Sequence, residues 1–212
     1  MFALGRRPRA PRARGRTPWR SAAYVALDFE TTGLDYATDH VISYGVVPIE
    51  GGRILVGRGR HVLVKPPKAP SARSQTVHLL RPTDLADAPP MDEAAGSFRR
   101  ELDERIVLAW FAEVEIAFLR GIYGGSERWW RRRVLDVRDI AIAVDEGNAR
   151  TRMERGYALS QTADRFGVPV TSAHDALDDA LVTAQLFLVL VGKLPGEPNP
   201  TLADIRRAVQ LT

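Results

Sequence analysis

Apolar positions change their rhythm along this chain, and the change divides it into two halves. Residues 24–29 form a short β-prone run that ends at the turn-like Thr31-Thr32-Gly33. Residues 41–49 read as a second strand, Gly51-Gly52 as a turn, and residues 53–64 as a third strand, which together predict an antiparallel meander. The proline-rich residues 65–90 read as a long surface connection. From there the period becomes helical. Residues 92–104 predict a helix, 106–111 a short buried strand, and 115–123 a helix with Ile116, Leu119 and Tyr123 on one face. A brief strand over 134–137 leads into a helix that runs to about residue 144. Two further helices follow. Ser160 is read as the cap of the first, which stops at Gly167-Val168-Pro169; the second spans 175–191 with Ala176, Ala180, Ala184, Phe187 and Val191 along its apolar stripe. Pro195 and Pro200 bracket a break before a short final helix. Three antiparallel strands followed by strands alternating with helices predict an α/β fold: one mixed five-stranded sheet with helices on its faces.

Charge changes the picture at the N-terminus. The first twenty residues hold seven arginines (Arg6, Arg7, Arg9, Arg12, Arg14, Arg16 and Arg20) and no acid. The whole chain carries +4, but without those arginines 23 basic and 26 acidic residues remain, so the basicity sits on an extension. Its Arg, Pro, Ala and Gly cannot build a core, and residues 1–21 are expected to be a disordered, solvated tail, with a nucleic-acid-binding arm as the alternative. No continuous apolar stretch follows it, as a signal peptide would require, although organellar transit peptides share its arginine-rich, acid-poor composition. Residues 22–191 are then the main domain, and 192–212 a linker with a short helix. No apolar run reaches the roughly 18 residues of a membrane span. The absence of cysteine excludes disulfides, thiolate zinc sites and cysteine nucleophiles, and suits a cytoplasmic location.

Candidate chemistry begins on the first strand. Asp28 and Glu30 are two residues apart, so both carboxylates share one face, opposite Val25, Leu27 and Phe29. Two acids side by side repel and are costly to bury unless a cation lies between them, and hard oxygen ligands suit magnesium or manganese. Asp-x-Glu alone is more often a solvated strand face. Thr31-Thr32-Gly33-Leu34 follows directly, with a glycine that permits a tight turn and Leu34 presented beyond it. A second cluster is His174-Asp175-Ala176-Leu177-Asp178-Asp179-Ala180. A histidine at a helix entrance can exchange a proton near neutral pH, and Asp179 further along can hold a metal. Asp175 and Asp178 have a plainer use in the first helical turn, where acids favour the helix dipole.

Together these segments resemble the DEDDh (DnaQ-like) 3′→5′ exonuclease family, which includes the proofreading epsilon subunit of bacterial DNA polymerase III and oligoribonuclease. The resemblance covers about residues 22–191, with Asp28 through Leu34 and His174 through Ala180 as its two strong motifs and Val41–Gly45 among the weaker echoes. The middle motif departs. Where the family has His-Asn-Ala-x-Phe-Asp-x-x-Phe-Leu, this chain has Trp110-Phe111-Ala112-Glu113-Val114-Glu115-Ile116-Ala117-Phe118-Leu119. Ala112, Phe118 and Leu119 fix the alignment and put Glu115 at the second aspartate's place, with Glu113 as a rival.

The resemblance implies a ribonuclease H-like fold and two-metal-ion hydrolysis of a nucleic acid from its 3′ end, releasing nucleoside monophosphates. It implies Asp28, Glu30, Glu115 and Asp179 as ligands of two Mg2+ or Mn2+ ions and His174 as general base. It also implies that Thr31, Thr32, Gly33 and Leu34 hold the terminal nucleotide. The expected partners are single-stranded DNA or RNA 3′ ends and a DNA polymerase. DNA proofreading or repair is the first reading, RNA 3′-trimming the second, and a non-catalytic polymerase-associated binding module the third. Trp129-Trp130-Arg131-Arg132-Arg133 is equally readable as a strand-stacking platform or as tryptophans packed under a solvated loop. Asp136 is read as a helix cap, with metal binding as the second choice.

Overall fold

In the computed structural model, the described residues are 3–68, 79–145, 156–170, 175–196 and 198–210. Strand β1 (Tyr24–Thr31) pairs antiparallel with β2 (Val41–Glu50) in a register that sets Asp28 against Gly45 and Glu30 against Ser43. The predicted third strand is two pieces. Residues β3 (Arg53–Ile54) and β4 (Arg60–Leu63) pair with opposite ends of β2, separated by a 3-10 turn at Val56–Arg58. Two glycines around that turn, Gly57 and Gly59, interrupt the extended run.

The chain then crosses over through α1 (Met91–Leu102) to β5 (Ile106–Ala109), which lies parallel to β1. Helices α2 (Glu113–Tyr123) and α3 (Glu127–Arg131) lead to β6 (Val134–Asp136), parallel to β5. Helices α4 (Val137–Val144), α5 (Leu159–Arg165), α6 (Ala176–Val191) and α7 (Leu202–Gln210) complete the molecule. The sheet order is β3-β2-β1-β5-β6 with β4 also on β2. The mixed α/β architecture is the one expected, with one strand divided.

The alternation along β1 decides what each face buries. Val25, Leu27 and Phe29 enter a core with Phe98 of α1 and Ile116, Phe118 and Leu119 of α2. Tyr24 and Ala26 enter the other core, under α6, with Ala180, Ala184, Leu186 and Phe187. Asp28 and Glu30 continue that second face, so the same parity that buries Tyr24 and Ala26 carries both acids toward the start of α6.

Three local expectations need correction. Ser160 lies inside the first turn of α5, where Ala158 is the capping position, and makes no side-chain cap bond. The strand expected to reach residue 111 ends at Ala109, because Phe111 turns into the left-handed region (φ 63°). The third concerns the N-terminal segment, which is laid against the domain. Leu4 N–H donates to the Ile122 carbonyl (2.8 Å), Ala203 N–H to Gly15 (2.8 Å) and Leu202 N–H to Thr17 (3.0 Å). Arg9 pairs with Asp103 and Glu104, Arg12 also pairs with Glu104, and Trp19 is buried edge-on to Phe187. Composition alone does not show where this segment lies. What it misses is that acids just beyond α1 pair with Arg9 and Arg12, and that backbone groups of α2, α7 and the loops bond to the segment.

Helix α7 also docks, burying Leu202 and Ile205 in the α6-side core. Among the described residues no helix is long and apolar enough to cross a membrane.

Candidate active site

The acids collect where the parallel strands end. Asp28 and Glu30 lie in the C-terminal half of β1, Glu115 two residues into α2 just beyond β5, and Asp136 closes β6. Helix α6 supplies Asp179 from its first turn. Ligand atoms of Asp28, Glu30 and Asp179 all lie within 4.8 Å of one another.

That approach depends on Gly45. It is the β2 partner of Asp28, and a Cβ there would overlap the Ala176 carbonyl and the Leu177 amide. The missing side chain lets the N-terminus of α6 descend onto the sheet beside the acids. Asp175 then closes the helix end, accepting from Leu177 N–H (3.0 Å) and Asp178 N–H (3.2 Å). His61 Nδ1 is 3.6 Å from the Asp175 carboxylate. His174, expected as the general base, lies outside the described residues, as does His78.

Electrostatics record the crowding. Burial, then the charges of Asp179 and Asp175, push the Glu30 carboxyl up to about 8. Burial also drives Asp28 well above the ordinary carboxylate range, reinforced in order by Glu115, Glu30, Asp179 and Asp175. Neither Asp28 nor Glu30 has a cationic side chain within 4 Å among the described residues. Such a group of carboxylates is costly without a counter-cation.

The two acids of the middle motif lie in different surroundings. Glu113 points outward and pairs with Arg131 (3.3 Å). Glu115 is 3% exposed, and burial drives its carboxyl well up, with Asp136 adding to the rise. Its Oε2 is buried with no hydrogen-bond partner among the described residues. Glu115 acts electrostatically on Asp28 but falls outside the tight group of three.

Ahead of it, the residues standing in place of the family's His-Asn have structural contacts. Trp110 Nε1 donates to the Tyr157 carbonyl (3.1 Å), and the Arg138 guanidinium covers the Phe111 ring (4.5 Å). Asp136 caps α4 through Arg138 N–H (2.9 Å) and accepts from Phe111 N–H and Ala112 N–H (3.2 and 2.8 Å). It thereby holds the turn that aims α2, as a cap rather than a ligand.

The loop after β1 is braced from the side. Asp39 accepts from Thr32 Oγ1 (2.7 Å) and Asp35 N–H (2.8 Å), while Thr31 Oγ1 donates to the Gly33 carbonyl (2.8 Å). A Cβ on Gly33 would strike the Asp39 carboxylate. Leu34 stands 67% exposed beyond this brace. Sequence reasoning missed Asp39; its partners lie several residues away in a loop, where no period points to it. For the Trp129–Arg133 run, Trp130 is fully buried with Nε1 on the Gly124 carbonyl (2.9 Å), and Arg131 is spent on Glu113 and Glu127. Packing and ion pairing account for Trp130 and Arg131.

The residues present suit a divalent cation: three carboxylates converge, two of them pushed up by burial and by neighbouring acids, and a fourth lies beside them with an oxygen that has no hydrogen-bond partner among the described residues. The fold is of the ribonuclease H-like type, and this acidic group lies at the ends of its parallel strands. Comparison with known proteins is specific. The family model RNase_T, described as Exonuclease, matches residues 25–187, and the chain belongs to that exonuclease family. It is similar to the PolC-type DNA polymerase III of Thermotoga maritima, 33% identical over 80% of this chain and 12% of the relative. It is also similar to the DNA polymerase III epsilon subunit of Aquifex aeolicus, 27% identical over 81% of each chain. Among solved structures, the zinc-bound E. coli ExoI–ssDNA complex superposes over 82% of this chain and 41% of its own, with a TM-score of 0.69 at 14% identity. The chain thus spans only about an eighth of the PolC-type relatives' length.

Proposed function

We propose that residues 22–191 carry a metal-dependent 3′→5′ exonuclease that removes nucleoside monophosphates one at a time from DNA, in proofreading or repair. The observation that carries the reading is the convergence of Asp28, Glu30 and Asp179 within 4.8 Å at the end of β1, with Glu115 beside them. Asp28, Glu30 and Asp179 would hold two Mg2+ or Mn2+ ions, with Glu115 completing the set. When bound, such cations supply positive charge to the attacking and leaving oxygens of an in-line displacement.

The chain's own residues do the rest. Thr31 through Leu34 hold the terminal nucleotide, with Leu34 against its base and the braced backbone against sugar and phosphate. Contact with sugar and phosphate makes cleavage largely independent of sequence. His174 accepts a proton from the attacking water as its oxygen bonds to phosphorus. The bond from phosphorus to the 3′ oxygen of the penultimate nucleotide breaks, and that oxygen leaves as the new 3′ hydroxyl after taking up a proton. The products are a nucleoside 5′-monophosphate and a strand shorter by one.

The similarity to DNA polymerase III epsilon and PolC-type chains favours DNA as substrate and a polymerase as partner. The test is a time course on 5′-labelled single-stranded DNA and matched RNA, with Mg2+, Mn2+ or chelator, beside Asp179→Ala and His174→Ala. A ladder shrinking from the 3′ end, faster on DNA and abolished by chelator and by Asp179→Ala, is the expected result. Faster RNA cleavage would move the protein to the RNA-trimming reading. Binding of both strands with no cleavage would make it a non-catalytic module.

A further inference from the structure

The opposite end of the parallel strands holds a second charged cluster, of the other sign. Ile106 opens β5 and Arg133 immediately precedes β6, so both sit at the strand ends remote from the acids. Between them, the N-terminal segment and α7 enclose a recess of about 390 Å3, within the range of small-ligand sites. Arg14, Arg132, Arg133 and Arg206 line it, and among the described residues no acidic side chain does.

The arginines are not used up by the protein. None of the four makes an ion pair within 4 Å among the described residues. Asp103, the acid whose charge Arg133 feels, is already held by Arg9 and Arg99, and Glu104 by Arg9 and Arg12. Arg133 is 3% exposed, and its Nη2 donates to the Arg9 carbonyl (2.6 Å), but its Nε and Nη1 are buried with no hydrogen-bond partner among the described residues. Its guanidinium lies 4.7 Å from the Trp129 ring centre, which fixes its plane. Arg206 is anchored by the Arg132 carbonyl (2.8 Å).

Four guanidiniums around one recess repel, and a buried guanidinium with two orphaned nitrogens is costly. One ligand class relieves both: a compact multivalent oxyanion that accepts several N–H groups at once, for which the guanidinium fork is suited. We infer that the recess formed by Arg14, Arg132, Arg133 and Arg206 is a second binding site, for a small phosphate dianion. Inorganic phosphate, pyrophosphate and a mononucleotide phosphate share that chemistry. A passing nucleic-acid strand fits less well, because its phosphodiesters carry a single charge and cannot reach down to a buried arginine.

The test is calorimetric titration of the full chain in chelator, so that no active-site metal holds phosphate. Inorganic phosphate, pyrophosphate, a deoxynucleoside monophosphate and an oligonucleotide are titrated separately. The doubly substituted Arg14→Ala/Arg132→Ala alters exposed residues and keeps the test decisive if Arg206→Gln is poorly folded. Saturable binding of a small phosphate, weakened at least tenfold by either variant and unchanged by Asp28→Asn, is expected. Tighter binding of the mononucleotide than of phosphate would identify the source as a nucleotide, and equal affinity would identify the free anion. Absence of saturable binding, binding undiminished in the double variant, or binding of the oligonucleotide alone would overturn the site.

Discussion

Replacing Glu30 with glutamine should stabilise the metal-free protein, and the gain should depend on pH. In the folded chain the Glu30 carboxyl is raised from 4.5 to about 8. Between those values the folded state binds a proton that the unfolded state has released, so stability falls as pH rises across the window. Above about 8 both states are ionised, and the whole penalty of holding the carboxylate among Asp28, Asp179 and Asp175 is present. Each pH unit between the two values is about 1.4 kcal/mol, which sets a ceiling of about 5 kcal/mol. Water reaches this half-buried group, so about 2–3 kcal/mol is the working figure. For a chain of this size that is roughly 5–10 °C in melting temperature. The assay is thermal unfolding in chelator at pH 5 and pH 9, comparing wild type with Glu30→Gln. The variant should melt higher at pH 9 and nearly together with wild type at pH 5. Addition of Mn2+ or Mg2+ should then raise wild type and leave the variant behind. A variant no more stable at pH 9, or equally stabilised at both pH values, would refute the argument that charge crowding strains this site.

Gly45→Ala puts a Cβ into the Ala176 carbonyl, and should cost about 1–3 kcal/mol in a denaturant melt while lowering kcat by displacing Asp179. Glu115→Asp withdraws the carboxyl by about 1.5 Å; a rate loss on the order of a hundredfold and a changed Mg2+/Mn2+ preference are expected, since about 1 Å of misplacement can cost that much. Unchanged rate and preference would show the length to be immaterial. Asp39→Ala removes the brace on Thr32 and Asp35, and should raise KM for a single-stranded substrate more than it lowers kcat. A kcat effect with unchanged KM would move Asp39 away from substrate holding.

The parts of the site that follow a period were legible. Alternation along β1 put Asp28 and Glu30 on one face, and the strand really does divide Val25, Leu27 and Phe29 from them. The helical stripe of residues 175–191 placed Asp179 at the start of α6. What the sequence hid depends on contacts between distant segments. The split of the third strand needed the whole length of β2 to be seen as shared between two partners. The docking of the arginine-rich segment follows from Asp103 and Glu104, some ninety residues away along the chain. Glu113 and Glu115 could be separated only once Arg131 was found beside the first and the core around the second.

The cost of the acidic group also bears on whether the chain is an enzyme. Asp28, Glu30 and Asp179 lie within reach of one another, and Glu115 is buried beside them with an oxygen that no described residue hydrogen-bonds. Removing any one carboxylate lowers repulsion on the rest, so a domain serving only as a nucleic-acid-binding module would be more stable without the full set. The departures in the middle motif fall elsewhere. Trp110 and Phe111 occupy positions held by Tyr157, Arg138 and Asp136, where packing can absorb a change of side chain. At the one acidic position that differs, Glu115 still presents a carboxylate, aimed by a turn that Asp136 fixes through two backbone N–H groups. The strain is therefore concentrated where a cation would relieve it, and the substitutions where no charge is needed. That distribution is what cation-dependent catalysis requires and what a binding module has no use for.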